Sequence, residues 1–153
     1  MTAMTILAIL LFVTYLVTVS LKRRTIPDSI SETSYLTDRP YLFTAFMWGM
    51  AVLVLFPLLD KTEGMSRLHS VMMCFGLIGV GCTPLYRSEG RGMHYFCAIV
   101  AGVASQIIII KEFRWGLMLW MPYVIYAIFR NDENWLFWAQ VTCMATISAY
   151  CLT

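Results

Sequence analysis

Charged residues are scarce in this sequence, and their scarcity limits what the protein can be. Asp, Glu, Lys and Arg make up 13% of the 153 residues, about half of the roughly 25% found in soluble domains. The net charge is only +2, and the chain has neither a basic patch interleaved with aromatic residues nor a glycine-rich phosphate loop. Nucleic acid is therefore not an expected partner. The hydrophobic share of 59% indicates a protein that folds in lipid.

Cysteine pairs and deep charges are missing as well. The five cysteines lie inside apolar stretches and form no CxxC pair, so we predict small buried hydrophobic residues instead of disulfides or a zinc site. No charged residue lies in the middle of a long apolar stretch, where ion-coupled carriers place their ionisable groups. The only histidines, His69 and His94, fall on opposite faces of the predicted bundle. We therefore predict no metal site and no cofactor.

What the sequence does contain is a series of long apolar stretches. A helix needs about 20 mainly apolar residues to cross a ~30 Å hydrocarbon layer. Six stretches meet or approach this length: 4–21, 41–59, 68–86, 93–110, 115–129 and 135–152. The predicted fold is an all-α integral membrane protein, a single domain over residues 1–153 built as a six-transmembrane-helix bundle. The last two stretches could alternatively form a re-entrant pair, because only RNDEN separates them.

Basic residues are divided unequally between the two faces of this bundle. With six spans, the loops after the first, third and fifth spans carry seven Lys and Arg residues, and the other loops carry four. The positive-inside rule then places the face with seven in the cytoplasm and both termini outside. The short loops and the lack of a targeting sequence favour a bacterial inner membrane.

The densest polar stretch is IPDSISETSY at residues 26–35, in the only long loop. Loops longer than about 12–15 residues are often functional. In one interpretation, Asp28 or Ser29 caps a turn that opens at Ile30 and leads into an interfacial half-helix. In the other, the motif folds back over the helix ends and forms a polar pocket with the third loop and the start of span four. The candidate ligand-binding residues are Ser31, Glu32, Tyr35, Arg87, Arg91 and His94.

The chemistry of these residues favours a lipid head group or a small anionic ligand. Arg87 and Arg91 carry guanidinium forks that match phosphate or carboxylate. The hydroxyl groups of Ser31 and Tyr35 add hydrogen bonds, and His94 adds a donor whose charge can change near neutral pH. We therefore predict a multi-pass membrane protein without an evident catalytic centre, with membrane lipids as its partners.

An oligomeric pore or membrane-perturbing effector is the first alternative. Small residues recur four positions apart at Ala45/Gly49 and Ala98/Gly102, a spacing that lets helix backbones approach closely. Spans from different copies could pair through these faces and form a homo-oligomer. The opening would be lined by Gln140, Thr142 and Thr146.

A lipid-modifying hydrolase is the second alternative. Ser31 would be the nucleophile and His94 the base, with Glu32 as the orienting group. The sequence has no serine flanked by the glycines of a nucleophile elbow. We therefore expect a non-enzymatic protein and keep this alternative open.

The order of motifs along residues 20–106 follows the layout of a known group. IPDSISETSY is a proline-led Ile-Ser-acidic motif after span one, a phenylalanine opens span two, and a histidine begins span four after a glycine-rich third span. The matching positions are Pro27, Ile30, Ser31, Glu32, Phe43, Gly76, Gly79 and His94. This layout resembles the six-span DRAM/Sfk-type membrane proteins and a related bacterial six-span family of unknown function. The resemblance implies a six-helix bundle with no established enzymatic activity and a first loop on the non-cytosolic side, opposite to the charge count.

Overall fold

The computed structural model describes residues 1–37, 39–88, 90–129 and 134–153. The described residues form helices and turns and no strand. In chain order the helices are α1 (Thr2–Arg23), α2 (Thr33–Leu36), α3 (Pro40–Lys61), α4 (Gly64–Cys82), α5 (Arg91–Glu112), a 3₁₀ helix (Arg114–Leu119), α6 (Trp120–Phe129) and α7 (Trp135–Leu152).

Five of these helices, α1, α3, α4, α5 and α7, are long and apolar enough to cross a membrane. Large apolar side chains are exposed on their outward faces, including Leu7, Leu10 and Val13 on α1 and Phe96 and Ile99 on α5. A helix on the surface of a soluble protein carries polar residues on its outer face, so these faces fit a lipid surrounding. The predicted all-helical bundle is confirmed, with five helices of spanning length.

Helix α3 lies between α1 and α4 and supplies much of the core. Pro40 starts the helix at a position where its missing N–H is not needed. Phe43 and Leu58 are fully buried, and Phe46 stacks on Tyr15 of α1 with 4.0 Å between the ring centroids. This stack fixes α1 against α3.

Glycines bring α4 and α5 close together. A Cβ added to Gly76 would lie 2.7 Å from the carbonyl oxygen of Cys97 and 2.8 Å from the amide nitrogen of Ala101. Gly90, the N-cap of α5, has a φ of 72° that disfavours other residues. The close contact of α4 with α5 at Gly76 therefore depends on a residue that has no side chain.

Two contacts show which helix ends lie together. Ser66 at the start of α4 donates a hydrogen bond to the carboxylate of Glu112 at the end of α5. At the opposite end of the bundle, the Phe137 N–H in the first turn of α7 donates to the Asp28 carbonyl oxygen at 3.1 Å. We call this second end the first-loop end. The end of α5 and the start of α7 therefore lie at opposite ends of the bundle.

The predicted fifth span, 115–129, is not one regular helix. Its first part is the 3₁₀ helix, and α6 has only ten residues, so the segment is not among the five helices of spanning length. Pro122 explains the break, because it has no N–H to bond the carbonyl of Met118. A regular α-helix begins only at Trp120, and the preceding turns tighten.

The predicted third span, 68–86, is shifted toward the N-terminus. Helix α4 ends at Cys82, and residues 84–88 form turns. Pro84 restricts Thr83 to non-helical backbone angles, which ends the helix there. Tyr86 and Arg87 consequently lie in the α4–α5 connection, beside the first loop. Arg130, Asp132 and Glu133, which the six-span topology puts on the same face, lie outside the described residues.

Candidate functional site

The first loop folds as a capped helical turn over one end of the bundle. The Glu32 N–H donates to Ser29 Oγ at 3.2 Å, and backbone bonds between residues three apart continue into α2. The Ile30 N–H donates to Oε1 of Gln140 on α7 at 2.7 Å. Of the two residues predicted to cap the turn, Asp28 and Ser29, it is Ser29 that accepts this bond. The contact with Gln140 ties the same turn to α7.

Ser31 and His94 form a buried hydrogen-bonded pair beneath this turn. His94 Nε2 lies 2.9 Å from Ser31 Oγ. His94 Nδ1 lies 3.1 Å from the Thr83 carbonyl oxygen and 2.9 Å from Thr83 Oγ1. Because a carbonyl only accepts, Nδ1 of the neutral ring carries the hydrogen, and Nε2 accepts a hydrogen bond from the Ser31 hydroxyl. Ser31 therefore faces a ring nitrogen that can take its proton.

His94 is shielded from water, with only 1% of its surface exposed. The Tyr86 ring stacks on it at 4.2 Å between centroids, with the planes 18° apart. Tyr86 is buried too, and this burial raises the pKa of its phenol above the usual value, with a further contribution from the nearby Glu32 carboxylate. The structure thus makes His94 an interior residue with both ring nitrogens hydrogen-bonded, where the sequence predicted a donor at the membrane surface.

Glu32, Tyr35 and Arg87 cluster on the exposed side of the same turn. Arg87 pairs with the Glu32 carboxylate. The negative charge of this carboxylate raises the pKa of the guanidinium above its usual value. The Arg87 backbone N–H donates to the Tyr35 hydroxyl at 2.6 Å. Arg91 contacts the ring of Tyr95 instead of the residues of this turn, with its guanidinium 5.6 Å from the ring centroid. The structure therefore brings together every predicted site residue except Arg91.

A cavity of about 110 Å³ lies between the long helices and reaches Ser31. Its walls are mainly apolar and include Phe12, Phe46, Met50, Met73, Leu77 and Met144. Three small residues of α5 also line the cavity, Ala98, Ala101 and Gly102, and so does Gln140 of α7. Apolar cavities of about 150 Å³ stay dry and bind small hydrophobic molecules. This one is large enough for a short stretch of alkyl chain.

Three residues of the site, Thr83, Tyr86 and Gln140, were not among the six candidate ligand-binding residues. Thr83 carries a partial signal, because the Thr-Pro pair ends α4 and leaves carbonyl groups of its last turn free to accept. Gln140 was predicted only to line the opening of a pore, and its contact with Ile30 joins positions 110 residues apart. Tyr86 can stack on His94 because α4 ends at Cys82 and leaves Tyr86 in the following turn. Hydropathy did not indicate this early end.

No protein-family model, curated protein or solved structure matches this chain. The resemblance to the DRAM/Sfk-type proteins therefore stays a prediction from motifs. Across 1–37, 39–88, 90–129 and 134–153, no three His, Cys, Asp or Glu side chains lie together as ligands of a metal ion would. The functional proposal rests on the polar pair and the cavity that reaches it.

Proposed function

We propose that this chain is an integral membrane protein that binds the acyl chain of a membrane lipid in its central cavity. One observation carries the proposal: a mainly apolar cavity ends at a polar residue, Ser31, which is hydrogen-bonded to His94. An amphipathic molecule suits such a site, because its chain is apolar and its head is polar. The outward faces of the bundle are also apolar, so the surrounding bilayer is the source of the ligand.

We also propose six membrane crossings, in a bacterial inner membrane. The 3₁₀ helix and α6 together extend about 27 Å, given rises of ~2.0 and ~1.5 Å per residue. This length is close to the ~30 Å of a hydrocarbon core. The proposal is supported by the positions of the end of α5 and the start of α7 at opposite ends of the bundle.

The head group would lie at the first-loop end of the cavity. Ser31 and Gln140 are polar residues on the cavity wall, and the ion pair between Glu32 and Arg87 lies on the exposed side of the same turn. Because Glu32 offsets the charge of Arg87, we assign recognition to hydrogen bonding more than to attraction of an anion. This modifies the sequence-based hypothesis, in which Arg87 and Arg91 carried the charge pairing.

A side chain that fills the cavity tests this proposal. Gly102 lines the cavity, and a Cβ there would meet nothing within 4 Å, so Gly102→Phe adds bulk without a clash at Cβ. Gly92→Phe is the matched control, because Gly92 lies on the same helix, has equally open space and does not line the cavity. The full chain is placed in bilayers that contain a phospholipid with a diazirine on its acyl chain, irradiated, and the adducts are mapped by mass spectrometry.

We expect cross-links at cavity-lining residues such as Met73 and Met144 in the wild type and in Gly92→Phe. Gly102→Phe should reduce these cross-links at least severalfold, because the phenyl ring occupies the space of the chain. Undiminished cavity cross-linking in Gly102→Phe contradicts the proposal. Adducts found only on the outward faces of the wild type contradict it as well.

An oligomeric pore finds less support in the contacts of the small residues. A Cβ on Gly49 would lie 3.0 Å from Leu11 of α1, and Ala98 and Gly102 line the cavity inside the same chain. Thr146 is fully buried and donates to a carbonyl of its own helix at 2.8 Å. These faces are therefore used inside one copy, which leaves them little surface for pairing between copies.

A further inference from the structure

We infer that Ser31 is a nucleophile with His94 as its general base, and that the protein cleaves the ester bond of a lipid held in the cavity. The inference rests on the proposed lipid binding and adds a reaction to it. Its basis is the order of groups from the cavity outward. Ser31 lines the cavity, His94 Nε2 lies behind it at 2.9 Å, and the Thr83 carbonyl oxygen lies behind Nδ1 at 3.1 Å.

This order is that of a nucleophile, a base and a group that orients the base. The Thr83 hydroxyl donates onward to the Gly79 carbonyl at 3.2 Å, so Oγ1 is available to accept from Nδ1. Both Thr83 acceptors hold the ring in the tautomer that leaves Nε2 open to the Ser31 proton. The stacked Tyr86 ring fixes the plane of the imidazole. A neutral acceptor stabilises an imidazolium less than a carboxylate does, so the expected reaction is slow compared with that of a Ser-His-Asp enzyme.

Gln140 supplies a donor for the negative charge that develops on the ester oxygen. Its Oε1 accepts the N–H of Ile30, the residue directly before Ser31, and this bond determines which end of the amide is oxygen. The remaining NH₂ has no acceptor among the described residues, and Gln140 and Ser31 line the same cavity. A pre-positioned amide donor stabilises an oxyanion in a site that excludes water.

The reaction balances without a cofactor. Ser31 Oγ forms a bond to the ester carbonyl carbon, and its proton passes to His94 Nε2. The bond between that carbon and the alkoxy oxygen then breaks, and His94 gives the proton to the leaving alcohol. A water molecule, deprotonated by His94, adds to the acyl-serine carbon. The serine leaves and regains the proton, so one ester and one water become one carboxylic acid and one alcohol.

The place of Ser31 in the bundle suits this substrate. The residue lies at the first-loop end, where the exposed Arg87 marks the boundary with water, and the cavity continues from it into the apolar core. Lipid esters lie at the same boundary, between the hydrocarbon layer and the head groups. The acyl chain would follow the cavity, while the alcohol part and the water approach from the polar side.

A reactive ester analogue tests the inference on the full chain in bilayers. The probe is a medium-chain alkyl fluorophosphonate, and the adduct is located by mass spectrometry and followed in time. We expect the adduct on Ser31 of the wild type and none in Ser31→Ala. Ser88→Ala is the matched control, because Ser88 lies at the same end of the bundle, does not line the cavity and donates to the Leu85 carbonyl at 3.0 Å instead of to a histidine. It should be labelled at the wild-type rate.

Replacing the general base, His94, tests its role separately. His94→Gln should slow the labelling of Ser31 about a hundredfold or more, since general-base catalysis contributes about 10²–10⁴-fold. A folded wild type with no adduct on Ser31, or labelling of His94→Gln at the wild-type rate, overturns the inference. Because the adduct is mapped on the wild type, the result stands even where a variant fails to fold. Cavity cross-linking without an adduct removes the reaction and leaves the lipid-binding proposal intact. An adduct without cross-linking shows that Ser31 is a nucleophile but removes both the lipid-binding proposal and the lipid as its substrate.

Discussion

At the scale of single residues, the ion pair between Glu32 and Arg87 is exposed to water, unlike the buried pair of Ser31 and His94 beneath it. The Arg87 side chain is 57% exposed, so water and salt screen its attraction to the carboxylate. We expect a double-mutant cycle with Glu32→Gln and Arg87→Gln to give a coupling of about 0.2–1 kcal/mol in unfolding experiments. The coupling should fall as ionic strength rises. A coupling of about 3 kcal/mol or more, the range of buried pairs, would contradict this assignment of the pair to the exposed side of the site.

Most candidate residues could be predicted because they are polar residues in an apolar chain. Counting spans puts Ser31, Glu32 and His94 on one face, and the structure brings them together. The count does not say which side chain is buried: Ser31 points to His94, whereas Glu32 turns outward to Arg87. Which side chain is buried depends on the residue at which α4 ends and on contacts such as that between Gln140 and Ile30. Neither can be predicted from hydropathy.

At the scale of helices, Gly76 sets the distance between α4 and α5. A Cβ there would lie within 3.0 Å of backbone atoms of Cys97 and Ala101, and backbone atoms cannot move without separating the helices. We expect Gly76→Ala to destabilise the protein by about 1–3 kcal/mol, the usual cost of overpacking. Gly102→Ala is the control, because its Cβ meets nothing within 4 Å and alanine favours a helix. Unfolding of both variants in the same detergent provides the comparison, and equal stability would show that α4 and α5 can separate at no cost.

Helices are predictable from hydropathy, whereas their ends depend on local backbone chemistry. The predicted spans 4–21, 41–59 and 93–110 fall inside α1, α3 and α5. The differences occur at prolines: Pro84 ends α4 before Tyr86, and Pro122 divides the predicted fifth span into a 3₁₀ helix and α6. The difference at Pro84 bears on the candidate site, because the early end of α4 places Thr83 against His94.

At the scale of the whole molecule, the contacts between helix ends support the proposal of six crossings. Lys61 at the end of α3 and Tyr150 near the end of α7 exchange hydrogen bonds at 3.0 and 3.2 Å. Helix α7 therefore ends beside the α3–α4 connection, which contains Glu63. Thr25 and Ser88 lie in connections at the first-loop end. Six crossings require Glu63 and the end of α7 to lie on one side of the membrane, and Thr25 and Ser88 to lie on the other.

Single cysteines at exposed positions test this topology. We expect Glu63→Cys and Thr153→Cys to react with a membrane-impermeant maleimide from one side, and Thr25→Cys and Ser88→Cys from the other, above the labelling of the wild type. If the 3₁₀ helix and α6 did not cross, Thr153→Cys would react together with Ser88→Cys, and the six-span proposal would fail. The same experiment determines orientation, because the charge count puts Ser88 in the cytoplasm and the resemblance to DRAM/Sfk-type proteins puts it outside. Labelling of Ser88→Cys in inverted vesicles alone would support the charge count, since the predicted six-span topology puts seven of the eleven basic residues on that face.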